Sequence, residues 1–353
     1  MGVIPEVSIK PTKTKIITQP GMAGSIAVIG AFDCEETKLQ AFTSLRQAQE
    51  KLGVDKTLMG CKILDKLFQR GKGASSIIAA NITTGTGDNK ETEMTVAKLE
   101  AALNLLKGEK FDILFVAAEL EDTAVEMVIA FLDESYDLQK PVGTVLALNR
   151  ADVEAQKATA VKFQEGSLYG LINQEWTLPN GVKLNLVESA AFYCGYIAGL
   201  KVDTSMTMAQ LPDVINATPE YSFGENEEGT QLVGAGITVL RCLDRINNKY
   251  VVVNSEQPCG RDLYIERSKD YIVRGMEFEE FLGDKNTANT RASIKSHIET
   301  KKQYFVGNLN LLEDINYNVL PGDKPSCVDV YLDSLLFAGV ITNIDVYVVV
   351  EVE

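Results

Sequence analysis

The stretch "FDILFVAAELEDTAVEMVIAFLDESYDLQKPVGTVLALN" (111–149) decides the fold class. It opens with a short apolar run, 111–119. It continues through 122–140, where apolar residues recur at helical spacing. It closes with a second apolar run, 142–149. A strand, a helix and a strand that are each apolar enough to be covered on both sides predict a parallel sheet with helices on its faces.

The same rhythm extends towards the N-terminus. "GSIAVIGAF" (24–32) and "SSIIAANI" (75–82) have the character of buried strands. "ETKLQAFTSLRQAQEKLG" (36–53) and "KETEMTVAKLEAALNLLKG" (90–108) have helical spacing and end on glycine, a common helix stop. Alternating strands and helices of this kind predict an α/β unit. Around 165–186 the rhythm breaks. There "TLPNGVKLNLV" carries Asn180-Gly181, a hairpin-turn signal, and a domain boundary is expected near 165–187. Beyond it, "VESAAFYCGYIAGLKV" (187–202) reads as a buried helix with small residues. A β-hairpin is expected from 237–244 and 249–256, then helices near 262–282 and 287–304, then a strand-forming stretch at 326–337. The expected organisation is an N-terminal arm (1–22), an outer α/β domain (23–186), an α+β core domain (187–340) and a C-terminal strand arm (341–353).

The two arms carry their own signals. Pro5, Pro11 and Pro20 exclude a helix near the N-terminus and suit an extended segment, in which Val7 and Ile9 alternate with polar residues. About 20 extended residues reach roughly 65 Å, enough to cross a domain. In "NIDVYVVVEVE" (343–353), Ile344, Val346, Val348, Val350 and Val352 share one face. That alternation is a strand with a buried side and nothing following it to pair with. Two such ends invite strand exchange between subunits, with main-chain hydrogen bonds supplying affinity and alternate side chains setting register. The competing expectation is that each end folds back onto its own domain.

Composition restricts the function classes. The net charge of −15 opposes nonspecific binding to nucleic acid. No stretch has the 18 or so apolar residues of a membrane-spanning helix, and the first residues have no apolar signal-peptide centre, so neither membrane insertion nor classical secretion is expected. The six cysteines form no CxxC pair and suit a reducing compartment. His297 is the single histidine and lies in a polar helical stretch, which suits a surface position. No nucleophile elbow or carboxylate metal motif accompanies it, so no catalytic set, metal or cofactor is expected. Asp133 and Glu134 read as a solvated helix face, and Trp176 as a packing residue. "TTGTGDNK" (83–90) follows a strand and precedes a helix, as a phosphate loop does, but completes neither Gly-rich motif. It reads either as a plain strand-to-helix turn or as the phosphate loop of a flavodoxin-like nucleotide- or phosphate-binding enzyme.

Several segments together resemble the contractile tail sheath proteins of myophages, R-type bacteriocins and related injection systems. The similarity is clearest in "VESAAFYCGYIAGLKVDTSMTMAQLPDV" (187–214), where a helix ending in Ala-Gly precedes Ser205-x-Thr207 and Leu211-x-x-Val214. It continues in the hairpin "GAGITVLRCLDRINNKYVVVNSEQP" (234–258), the late helix "NTRASIKSHIETKKQYFVG" (289–307) and the opening "MGVIPEVSI". The last strands depart from the family's commonest wording. The resemblance implies a non-enzymatic subunit that polymerises with itself as stacked hexameric rings around an inner tail tube protein. Arms of neighbouring subunits would add strands to a core-domain sheet, and the stack would contract to drive the tube through an envelope. It also implies baseplate and tail terminator partners and a place in a virion tail assembled in the host cytoplasm. Arg291, Lys295, Lys301 and Lys302 on the late helix are candidates for the tube-facing surface, with a solvated face as the alternative.

Overall fold

A computed structural model describes residues 24–34, 39–85, 90–138, 140–148, 152–322, 324 and 326–339. The first half alternates as expected: β1 (Ser25–Gly30), β2 (Gln40–Phe42), α1 (Leu45–Leu52), α2 (Met59–Phe68), β3 (Ser76–Asn81), α3 (Val96–Leu106), β4 (Ile113–Glu119), α4 (Asp122–Asp137), β5 (Gly143–Ala147), α5 (Val153–Val161) and β6 (Leu168–Ile172). The sheet runs β2-β3-β1-β4-β5-β6. All pairings are parallel except β2 on the edge of β3. The five parallel strands thus take the flavodoxin-like order, with the second strand placed outside the first.

The period of two along each strand divides the side chains between two cores. Ile26, Val28, Ile77, Phe115 and Val145 share a core with α1, α2 and α6 (Leu186–Ala198). Ala27, Ile29, Leu114, Val116 and Leu146 face α3 and α4. Strands buried on both faces have no solvent side to mark with polar residues, which is why they read as unbroken apolar runs.

Two expected helices begin later than their spacing suggested. In 36–53, residues 40–42 pair with β3, and Ser44 accepts a hydrogen bond from the Gln47 amide, so α1 starts at Leu45. In 90–108, Glu91 is held in a bridge with Thr84 and the Thr95 hydroxyl caps the helix, so α3 starts at Val96.

The remaining elements are β7 (Glu175–Leu178), β8 (Val182–Lys183), α6 (Leu186–Ala198), β9 (Asn216–Thr218), α7 (Glu228–Gly234), β10 (Leu240–Asp244), β11 (Lys249–Val252), α8 (Leu263–Gly275), α9 (Ala288–Lys302), β12 (Asp314–Pro321) and β13 (Val328–Leu336). Asn180-Gly181 does turn the chain between the antiparallel β7 and β8. Trp176 is buried edge-on against Phe192 and Tyr193.

The start of a second unit expected at Val187 does not coincide with a break in the core. β6 is the outermost strand of the first sheet, and α6 packs on that sheet beside α2, in one apolar cluster with Ile26 and Phe115. A capping box sets the start of α6: Asn185 accepts from the Glu188 amide at 2.9 Å, and Glu188 accepts from the Asn185 amide at 3.1 Å. Glu188 also pairs with Lys62 of α2 at 2.9 Å. A separate apolar cluster, with Ile272, Met276, Phe305, Leu312 and Ile315, lies between α8 and the β12–β13 ribbon.

Small residues let α6 approach α2 closely. A Cβ added at Gly195 would lie 2.4 Å from the Lys66 carbonyl oxygen, which is backbone and cannot swing away. We expect Gly195→Ala to destabilise the protein by about 1–3 kcal/mol. Gly234→Ala, with nothing within 4 Å of the added carbon, should stay within about 0.5 kcal/mol. Thermal and denaturant unfolding of the two variants checks this, and equal stabilities would refute the close approach.

Candidate assembly surface

β12 and β13 form an antiparallel ribbon from Asp314↔Leu336 to Pro321↔Val328, with one extra residue, Asp333, bulged out of β13. One face of the ribbon packs on α9, where Ile294 and Ile298 meet Val319, Tyr317, Val328 and Val330. The Tyr317 hydroxyl donates to Glu299 of α9 at 2.7 Å. Among the described residues each strand has one partner, so the outer backbone edges of β12 and β13 are open. A two-stranded ribbon is marginal alone, and open edges accept further strands. At the end of β13, the Tyr264 hydroxyl donates to the Ala338 carbonyl and its ring meets Phe337 edge-on. The arm residues Val7, Ile9, Ile344, Val346, Val348, Val350 and Val352 lie outside the described residues.

The expected basic surface of α9 is partly consumed within the chain. Lys301 pairs with Glu277 at 2.7 Å. Lys302 pairs with Asp314 and donates to the Ile315 carbonyl at 3.0 Å, tying the helix end to the start of β12. Arg291 donates to the Asn286 side chain. Lys295 is exposed, with no ion pair among the described residues. Arg291, Lys295 and Lys302 fall on one flank of the helix by their four- and seven-residue spacing, and Lys301 on the other side of the Ile294–Ile298 stripe. His297 is half-buried rather than on the surface. Its Nε2 lies 2.6 Å from the Met276 carbonyl oxygen and its Nδ1 2.8 Å from Glu280, with Phe278 and Phe281 against the ring.

The ribbon is joined to the sheet through α8, and the joint is made of charges. Asp262 caps α8 through the Tyr264 amide, and its other oxygen accepts the hydroxyls of Ser205 (3.1 Å), Thr207 (3.1 Å) and Ser255 (2.7 Å). Ser205-x-Thr207, notable in the sequence, therefore works as a clamp on the start of this helix. One turn on, fully buried Glu266 lies between Arg261 and Lys269. Burial pushes its carboxyl up, but Lys269 and Arg261 outweigh that and hold it below its ordinary value. Fully buried Arg267 donates to the carbonyls of Leu200 (3.1 Å) and Lys201 (3.2 Å), just past the end of α6. Asp270 accepts the Tyr169 hydroxyl of β6 at 2.8 Å, and burial pushes both groups up. Arg274 pairs with Asp112 at 2.8 Å and donates to the Pro141 carbonyl. Asp112 in turn accepts the Ser25 amide at 2.8 Å. α8 is thus held against the starts of β1, β4, β5 and β6. The sequence reading missed this layer. Its signal was a helix with charges at 266, 267, 269, 270 and 274, too many for one solvated stripe.

At 83–90, where a plain turn is the first expectation and a phosphate loop the alternative, an antiparallel bridge joins Thr84 to Glu91. Thr84 and Glu91 exchange backbone hydrogen bonds (3.1 and 2.8 Å), and α3 begins only five residues after Glu91. Gly85 therefore does not lead directly into a helix N-terminus, which a phosphate cradle requires. Lys90 lies 2.7 Å from Asp33. Residues 86–89 lie outside the described residues.

Neither a protein-family model nor a curated protein matches the sequence. Solved structures do. A sheath tail protein from Desulfitobacterium hafniense is 13% identical at a TM-score of 0.65, over 90% of this chain and 93% of that one. A chain in the six-fold-symmetrised baseplate of the anti-feeding prophage is 14% identical at 0.66, over the whole of both chains. A chain in the contracted helical sheath of the same particle is 14% identical at 0.62, over 100% and 99%. The described fold is thus similar to that of all three chains, over 90% or more of this one.

Two outcomes follow from the charged joint and the ribbon. Arg274→Ala, which leaves Asp112 unpaired, should cost about 3–5 kcal/mol, and Asp112→Ala a similar amount. The double variant should cost clearly less than the sum, a coupling that a double-mutant cycle in denaturant measures. Lys302 holds Asp314 below its ordinary 3.8, and Lys301 holds Glu277 below 4.5. Lowered carboxyl values contribute stability above the unfolded values, and that stability is lost as pH falls through the folded ones. Hydrogen exchange should therefore show α9 and β12 losing protection below about pH 4 before the parallel sheet does.

Proposed function

We propose that the chain is a subunit of a contractile tail sheath, assembling with copies of itself as stacked hexameric rings around an inner tube. The supporting observation is the whole-length fold match to a chain of a contracted helical sheath. The open-edged β12–β13 ribbon agrees with it, because it is the place where extended arms of other subunits can add strands. In this proposal residues 1–22 and 341–353 are those arms. Val7, Ile9, Ile344, Val346, Val348, Val350 and Val352 set their register. The α/β body is the outer domain, and α8, α9 and the ribbon belong to the core that carries the mesh.

The mechanics follow from the joint. Contraction asks the bodies to rotate as rigid units while their connections persist. Backbone pairing through arms tolerates such rotation, because it depends on strand alternation and not on one packing of faces. The charged layer under α8 keeps each subunit's ribbon fixed to its own sheet, so motion is taken up between subunits. Arg291 and Lys295, the less engaged members of the basic flank, are the first tube-contact candidates, with Lys301 and Lys302 supporting them. The tube, baseplate and terminator proteins are the proposed partners, the particle tail is the proposed location, and the role needs no catalysis.

Negative-stain electron microscopy of the purified chain tests this. We expect hollow tubes or ring stacks from the intact protein, and their loss on removal of 343–353 with the sheet's unfolding unchanged. Monodisperse particles from both chains under all assembly conditions would overturn the proposal.

A further inference from the structure

His297 is the single histidine of the chain, and both of its ring nitrogens face acceptors. Nε2 lies 2.6 Å from the carbonyl oxygen of Met276, the residue that closes α8. Nδ1 lies 2.8 Å from a carboxylate oxygen of Glu280. A neutral imidazole has one donor and one acceptor, and only the charged ring donates from both nitrogens. A carbonyl has no proton to give, and an exposed carboxylate is ionised near neutrality. The Glu280 side chain is 61% exposed, the imidazole only 16%. With a neutral ring, one lone pair would face another at hydrogen-bond distance, so the arrangement is that of an imidazolium. The end of a helix favours a cation for the same reason, since its last carbonyls lack partners.

The surrounding charges agree with that state. Glu277 is within range of the ring's charge and is paired with Lys301, one turn further along α9. Lys110, from the turn before β4, lies 3.8 Å from Glu279. Arg274, in the last turn of α8, is committed to Asp112. On the ribbon side, Tyr317 donates to Glu299 and Asp314 pairs with Lys302. Phe278 and Phe281 lie against the imidazole, at centroid distances of 5.8 and 5.4 Å. The same two rings belong to the apolar cluster that joins Ile294 and Ile298 of α9 to Val319 of β12. The segment that His297 holds is therefore part of the seat of the ribbon.

We propose that His297 is a proton-operated lock between the end of α8 and α9, closed while the imidazole carries both protons and released when it loses one. A neutral ring leaves one of its two acceptors facing a lone pair, and that contact must open. Met276 is held in the backbone, whereas Glu280 can turn to water, so the stretch 277–281 is the part released. The charged ring contributes stability at and below neutral pH, and that stability is lost as pH rises and the second proton leaves. α9 and the ribbon then loosen against α8, while the parallel sheet, which contributes no residue to the contact, stays as it is. The proposal is independent of the sheath reading, because every group in the lock belongs to one chain.

The test is nitrogen NMR of the full chain labelled with ¹⁵N-histidine, in which one histidine gives one set of ring signals. We expect both nitrogens to be protonated at pH 7, where an ordinary histidine is mostly neutral. Glu280→Gln keeps an acceptor beside Nδ1 but removes the charge, and should lower the ring's proton affinity about tenfold. Glu228→Gln, exposed beyond the carboxyl ends of the strands, should leave it unchanged. Hydrogen exchange, corrected for its intrinsic pH dependence, should show 276–281 and α9 losing protection between about pH 6.5 and 8.5, with no such loss in β1 and β4. His297→Gln should remove that pH dependence. A ring with a single protonated nitrogen at pH 7 would overturn the proposal. So would equal shifts in the two glutamine variants, which would mark the general field of a chain of net charge −15, or protection of α9 that does not change over this range.

Discussion

The orientation of α8 and of the ribbon on the parallel sheet rests on one largely buried contact, the pairing of Arg274 with Asp112, and on the polar layer around it. Removing two charges from water is expensive, and their attraction repays it only with good geometry and further hydrogen bonds. The second condition is met, while the pair itself is a close ion pair without hydrogen-bond alignment. Asp112 is held by the Ser25 amide, and Arg274 reaches the Pro141 carbonyl. An apolar interface between α8 and the sheet could slide by a fraction of a turn at little cost. Directional bonds to Leu200, Lys201 and Tyr169 cannot, so the layer specifies one orientation of α8 and of the ribbon it carries.

That orientation has a counterpart in the way α6 is seated. Its small residues bring its backbone against α2, and Glu188 closes the contact by pairing with Lys62. The end of the same helix is then gripped by Arg267. α6 is therefore covered by the sheet, by α2 and by α8, which explains why nearly every one of its residues is buried. A helix apolar all round belongs inside a core and not at its edge. The sequence at 187–202 signalled burial correctly. It could not signal that the burying partner was the preceding sheet.

The legible parts of the fold are those with one dominant cause. β1, β3, β4 and β5 are short apolar runs because both faces are covered, and α4 is amphipathic because one side is not. α2, α5 and α7 fell outside that reading. α2 carries Gly60 within its first turn and is followed by Gly73, and both resemble loop residues until their close contacts are known. α5 places Ala, Thr, Lys and Gln with almost no apolar stripe. The stretch 83–90 resembled a phosphate loop because strand, glycines and helix stood in the right order, while the antiparallel bridge between Thr84 and Glu91 is a tertiary outcome. Charges are the least legible. Lys301, Lys302 and Arg274 are equally basic in the sequence, yet one is inside a joint, two bind nearby carboxylates, and only the fold distinguishes them.

Identities of 13–14% over whole chains are intelligible from the kinds of contact involved. A sheet covered on both faces asks for apolar side chains of suitable volume, and many combinations satisfy it. A ribbon that receives strands through its backbone asks for alternation and an unblocked edge, not for particular side chains. Neither demand preserves a motif. The charged layer under α8 is of another kind, because each partner is fixed by geometry and the loss of one strands the other. A change at Asp112 or Arg274 is tolerable only together with a compensating change in its partner. This layer is therefore where the fold constrains residue identity most tightly.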